Sequence, residues 1–137
     1  MATYNKIAGA IDFLVEGINA GTDQWAFALT NTTPSGTTFV AGTNDLTTSG
    51  GYTAGGTNVT TTSSAESAGT YALKLPAPTT WTASGGGFTF RYVTLVDKTT
   101  NIQVGYWDNG SSIVMNGTNG DTFVFTPDTT NGVFTIA

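Results

Sequence analysis

The reactive inventory of this 137-residue sequence is nine carboxylates, four basic side chains (Lys6, Lys74, Arg91 and Lys98) and a large stock of hydroxyls; Cys and His are absent. Without them there is no disulfide, no thiolate or imidazole metal ligand, and no histidine general base. A serine nucleophile would then need a lysine or an amino-terminal amine as its base. Neither Lys74 nor Lys98 stands in such a motif, and no Gly-x-Ser-x-Gly is present. Paired carboxylates could work as acid and base, as in glycosidases. Here Glu16 follows an apolar segment and Glu66 lies in a Ser-rich turn, while Asp45, Asp97, Asp108, Asp121 and Asp128 fall at strand ends. A carboxylate at a strand end is expected to cap a turn.

The glycine-rich stretches Gly50-Gly51, Gly55-Gly56 and Gly85-Gly86-Gly87 lack the Lys of a phosphate loop and the strand-to-helix setting of a dinucleotide fold. Asn116-Gly117-Thr118-Asn119-Gly120-Asp121 offers hard oxygens in a tight turn, but a single copy with one Asp falls short of a calcium loop and reads as a hairpin loop. The residues therefore point to no cofactor, no metal and no enzyme. A net charge of −5 with scattered basic residues makes nucleic acid and anionic membrane poor partners.

The elements that carry these residues repeat with period two. Trp25, Phe27 and Leu29, then Tyr71, Leu73 and Leu75, then Phe123 and Phe125 each alternate with small or polar residues, as in strands with one face on a core. Residues 88–97 and 101–108 are apolar on both faces and read as central strands. Turn signals recur at about ten-residue intervals. Asn109-Gly110 and Asn131-Gly132 each predict a tight hairpin. Residues 7–18 fit both periods; Ile7, Ile11, Leu14 and Ile18 at spacings of four, three and four favour a short N-terminal helix or helical turn.

Only 9% of residues are charged, whereas aromatics reach 12%, so the chain has the means to build a core and must clothe it in hydroxyls and amides. Scaling predicts a folded surface of roughly 6,700 Å². The expectation is an all-β fold: a single domain over residues 1–137, a jelly-roll-like β-sandwich of about eight to nine short strands, with a short N-terminal arm at about residues 1–6. No segment reads as a signal peptide or a membrane span, so synthesis in the cytoplasm is expected.

Several stretches taken together, Leu29-Thr30-Asn31-Thr32-Thr33-Pro34, Gly51-Tyr52-Thr53-Ala54-Gly55-Gly56, Thr80-Trp81-Thr82-Ala83-Ser84-Gly85-Gly86, Phe90-Arg91-Tyr92-Val93-Thr94-Leu95 and Gly105-Tyr106-Trp107-Asp108-Asn109-Gly110, resemble a family of small capsid cement or decoration proteins of tailed bacteriophages. The resemblance spans most of the chain, through strand and turn signatures rather than a catalytic constellation. It implies a non-enzymatic virion protein that binds the outer capsid surface, clamps capsomers of the major capsid protein, and acts as a homo-oligomer, a dimer or trimer. Head fibres, tail proteins and virion-surface carbohydrate-binding modules are the alternative. The residues expected at a capsid or oligomer interface are the arm, Ala2, Thr3, Tyr4, Asn5 and Lys6, and one of the adjacent pair Tyr106 and Trp107, which point to opposite faces of a strand.

Overall fold

The computed structural model describes residues 2–76 and 78–137, without the side chains of Asp12 and Val15. In chain order the elements are β1 (Tyr4–Lys6), α1 (Ala10–Glu16), β2 (Trp25–Thr30), β3 (Thr57–Val59), β4 (Ser63–Ser67), β5 (Thr70–Lys74), β6 (Thr79–Thr82), β7 (Phe88–Asp97), β8 (Ile102–Met115), β9 (Thr122–Phe125) and β10 (Phe134–Ile136). The strands form three antiparallel sheets, ordered β1-β8-β7-β2-β3, β10-β5-β4 and β6-β9. The expected all-β sandwich is what the sequence makes. The described residues form ten strands, more than the eight or nine expected, because β1, β3 and β10, at three residues each, are too short to show a period. The exposed surface is 6697 Å².

The inner face of the five-stranded sheet packs on the two smaller sheets. Phe27 meets Trp107 and Phe125 edge to face at centroid distances of 5.9 and 4.9 Å, and Trp25 meets Phe134 at 5.9 Å. These rings belong to one apolar cluster that also takes in Leu73, Trp81 and Leu95. β7 lies at the centre of the large sheet, as its two apolar faces predict.

β2 is buried at all six positions because the sheet is covered on both sides. Its outward residues, Ala26 and Ala28, are small, and Ala28, Phe39 and Val96 form a second apolar cluster there, while Leu46 and Tyr52 of the same 31–56 segment pack on the main cluster. This segment has no strand of its own, an unusual length for a loop in a small domain. Gly56 makes the approach feasible: it sits at φ +74°, and a Cβ there would collide with the Phe27 carbonyl. Polar bonds hold the cover down. The Asp45 carboxylate, in a residue only 6% exposed, accepts from the backbone N–H groups of Gly42 and Gly55 at 2.6 Å and from the Tyr52 hydroxyl at 2.6 Å. That hydroxyl in turn accepts from the Leu29 N–H at 3.0 Å, and Leu46 N–H donates to the Leu29 carbonyl. Burial and the Asp45 carboxylate push the Tyr52 phenol far above its ordinary value, so it stays a donor.

Both predicted hairpins are corrected. β8 runs unbroken through Asn109-Gly110: Tyr92 pairs with Asp108 and Phe90 with Ile113, leaving residues 109–112 opposite Arg91 alone. β7 is long enough to pair with both halves of β8, so the surplus residues bulge outward instead of reversing the chain. Asn131-Gly132 does lie in a turn, but β10 beyond it pairs with β5 rather than with β9, and Phe134 packs between Trp25 and Tyr71. Helix α1 is shorter than residues 7–18. Gly9, at φ +85°, precedes it, and the N–H groups of Gly17 and Ile18 both return to the Phe13 carbonyl and close it. Ile7, Leu14 and Ile18 still turn toward the core, whereas Ile11 is half exposed.

Replacing Tyr52 by Phe leaves the Leu29 N–H without its acceptor and Asp45 without its hydroxyl donor. The expected loss is about 1–3 kcal/mol in urea unfolding; a variant as stable as the parent would contradict the role given to this bond.

Candidate functional site

The arm residues do not form a free arm. Tyr4–Lys6 is an edge strand in register with β8, Tyr4 opposite Trp107, Asn5 opposite Tyr106 and Lys6 opposite Gly105. The cause is a fit that the sequence pattern conceals: Gly105 leaves the space that the Tyr4 ring fills, since a Cβ there would run into that ring. Tyr4 also packs on Trp107 at a centroid distance of 5.0 Å. Burial pushes its phenol well above the ordinary value, and its hydroxyl, cut off from solvent, has no hydrogen-bond partner. Ala2 packs against the core, Thr3 and Asn5 are exposed, and the Asn5 side-chain amide donates to the Thr3 carbonyl. Met1 lies outside the described residues.

Tyr106 and Trp107 do face opposite ways. Trp107 is the inward one, 6% exposed, wedged among Tyr4, Phe27 and Phe125. It is core and is corrected as a surface anchor. Tyr106 is half-buried on the outer face, beside Asn5 across the β1–β8 ladder and edge-on to Tyr92 at 5.8 Å. The Tyr92 hydroxyl accepts from Thr33 Oγ1 at 2.8 Å. Below this group Arg91 grips Asp108 with two bonds, Nε to Oδ1 at 2.8 Å and Nη2 to Oδ2 at 2.9 Å, and sits over the Tyr92 ring. The structure thus joins Asn5 and Tyr106 to Thr33, Tyr92 and the Arg91–Asp108 fork, which sequence reasoning did not single out. The period-two pattern places these residues on one face only when the register of β1, β7 and β8 is known.

The carboxylates behave as turn caps. Asp23, Asp45, Asp97, Asp108, Asp121, Asp128 and Glu66 each accept a backbone N–H from a nearby turn. In the 116–121 loop Asn116 Oδ1 accepts from Thr118 and Asn119, and Asp121 accepts from Asn116, so those oxygens are engaged within the loop. Among the described residues no group of three or more acidic side chains is gathered as a metal cage would require. Of the described acidic side chains, Glu16 alone lines the surface hollows beside α1 and at residues 123–126. All three Trp residues are core, so none offers a flat platform to a sugar. No described helix is long and apolar enough to cross a membrane. No protein-family model, no curated protein and no solved structure matches the chain.

The caps differ in electrostatics. Arg91, with the Gly110 N–H, holds the Asp108 carboxyl below its usual value, and the Asn131 backbone and side chain do the same for Asp128. Burial raises Asp97 despite its bonds from Thr99 and Thr100. The stability contributed by Asp108 and Asp128 is present above the unfolded carboxyl value of 3.8 and is lost as pH falls through their lower folded values. Asp97 has the opposite sign: its contribution is present below 3.8 and is lost as pH rises through its raised folded value. Melting temperatures from about pH 2 to about pH 7 should therefore fall less on acidification in an Asp108→Asn/Asp128→Asn variant than in the parent. Asp97→Asn should gain relative to the parent toward neutral pH. Parallel profiles for all three proteins would refute these assignments.

Proposed function

We propose that this chain is a non-enzymatic structural protein of a virion, a capsid cement or decoration protein that binds the outer surface of the capsid and stabilises contacts between capsomers of the major capsid protein. The observation that carries the reading is the use made of the acidic groups. Seven carboxylates are engaged in fixing turns, and the face around Tyr106 carries amide, hydroxyl and aromatic groups with one ion pair, Arg91–Asp108, closed on itself. The strand and turn signatures that resemble phage cement proteins support a phage capsid as the lattice. A shell under internal pressure gains from any protein that binds the assembled lattice better than free subunits, because such binding shifts the equilibrium toward assembly.

The face around Asn5, Tyr106 and the Arg91–Asp108 fork is the contact surface this reading assigns. A half-buried Tyr with fixed neighbours loses little entropy on docking and supplies both apolar area and a hydroxyl. Few charges are available to meet the lattice, so binding rests on short-range contacts that salt screens little.

Purified protein should co-sediment with mature heads that lack it and raise their resistance to heat. Its affinity should change by less than about threefold between roughly 0.05 and 0.5 M salt, and Tyr106→Ala should weaken it about tenfold or more. Failure to bind, or heads equally heat-resistant with and without the protein, would overturn the reading; a steep loss with salt would overturn the account of its surface.

A further inference from the structure

Two of the surface hollows lie side by side along α1. The larger, about 570 Å³, is walled by Tyr4 and Lys6, by Ile11 and Leu14, and by residues 131–137. The other, about 480 Å³, is walled by Leu14 and Glu16, the turn after α1, Ser64, Tyr71, Phe134 and Ile136. Leu14, Phe134 and Ile136 line both, so the two form one trough with Lys6 toward one end and Glu16 toward the other. Its rim is apolar: Ile11 is 50% exposed and Ile136 42%, and Phe13 on the same short helix is 39% exposed. β1 and β10 are each the outermost strand of their sheet, which leaves backbone groups unpaired beside the trough.

We infer that this trough docks a second copy of the same chain about a two-fold axis, α1 antiparallel to α1, with Lys6 of each copy facing Glu16 of the other. The argument is charge self-complementarity. A strip with a cation at one end, a carboxylate at the other and apolar residues between matches itself after a half-turn, which is the condition for an isologous contact. Among the described side chains, which do not include that of Asp12, the one ion pair is Arg91–Asp108, and neither Lys6 nor Glu16 has a partner. Glu16 also stands in the last turn of α1, where no basic residue accompanies it and where the partial charge of the helix end disfavours a carboxylate. Lys6 of a second copy would supply the missing cation. Elsewhere two copies with a net charge of −5 repel, whereas here opposite charges face each other. A purely acidic or purely basic partner would match one end of the strip and oppose the other. A standard contact of about 800 Å² per copy is a modest part of the 6697 Å² surface.

The capsid reading contributes only the expectation that the chain acts as an oligomer, and the two fail separately. A chain that is monomeric yet still binds heads would remove the trough interface and leave the capsid reading standing. Sedimentation velocity at up to about 0.1 mM protein should give a dimer for the parent and a monomer for Ile11→Asp, with unchanged circular dichroism because Ile11 is half exposed. Lys6→Glu and Glu16→Lys should each weaken association about tenfold, and the double exchange should restore it, an outcome that a folding defect does not produce. A monomeric parent, a dimer indifferent to Ile11→Asp, a ring of three or more copies, or a double exchange that fails to recover would each overturn the proposal.

Discussion

The Tyr52 hydroxyl, donating to Asp45 and accepting from the Leu29 N–H, is the buried bond that ties residues 31–56 to β2. A five-stranded sheet in a chain this size has one face on the smaller sheets and would have the other in water. Residues 31–56 change that, and they have no ladder of their own to hold them. A few backbone bonds reach them, Phe39 N–H to the Asn101 carbonyl, Gln103 N–H to the Thr37 carbonyl and Leu46 N–H to the Leu29 carbonyl, and side chains meet further groups: Asp45, Gln103, whose amide donates to the carbonyls of Gly36 and Thr38, and Lys98, which reaches the Gly55 carbonyl. Each of these side chains substitutes for a strand partner. Because the bonds are buried, losing one leaves its partner desolvated, which is why a single hydroxyl can govern how a long segment lies.

The same device recurs at the exposed turns on a smaller scale. Asp128 holds the Thr130 and Asn131 N–H groups, and Asp97 holds those of Thr99 and Thr100 where β7 turns into β8. Asn101, at φ +57°, completes that second turn in a conformation that an Asn tolerates. The acidic residues are therefore elements of backbone satisfaction first. Their number, in excess over the basic residues, is not by itself evidence of a cationic partner, since seven of the nine carboxylates already accept turn N–H groups, Glu16 not among them.

The strands that bury large side chains on alternate positions were legible: Trp25, Phe27 and Leu29 face the core as their spacing requires, and β7 is central because both its faces are apolar. What the pattern could not show is pairing. Ser63–Ser67 has no apolar period because β4 is an edge strand exposed along most of its length, and its partner β5 supplies the burial. Asn109-Gly110 carries a hairpin signal that is local, whereas the choice between reversal and bulge is made by the length of β7, a non-local fact. Tyr4 reads as part of a polar arm until Gly105, a hundred residues later, is seen to leave room for its ring. Of the interface residues, the opposition of Tyr106 and Trp107 was legible, but which one faces inward depends on the layer formed by β9.

That last dependence also fixes how the surface is divided. Trp107 points inward because Phe125 and Phe27 wait there, and the β1–β8 ladder then puts Tyr4 on the inner side and Asn5 with Tyr106 on the outer. One strand of three residues thereby borders two different surfaces. Tyr4 and Lys6 line the trough beside α1, while Asn5 joins the face that carries Tyr92 and the Arg91–Asp108 fork. Because alternate residues of a strand point to opposite sides, a contact made through one surface leaves the side chains of the other free. A protein that joins a second copy through the trough can thus keep its outer face for the lattice, and two-fold pairing would double the number of lattice contacts made by each particle that binds.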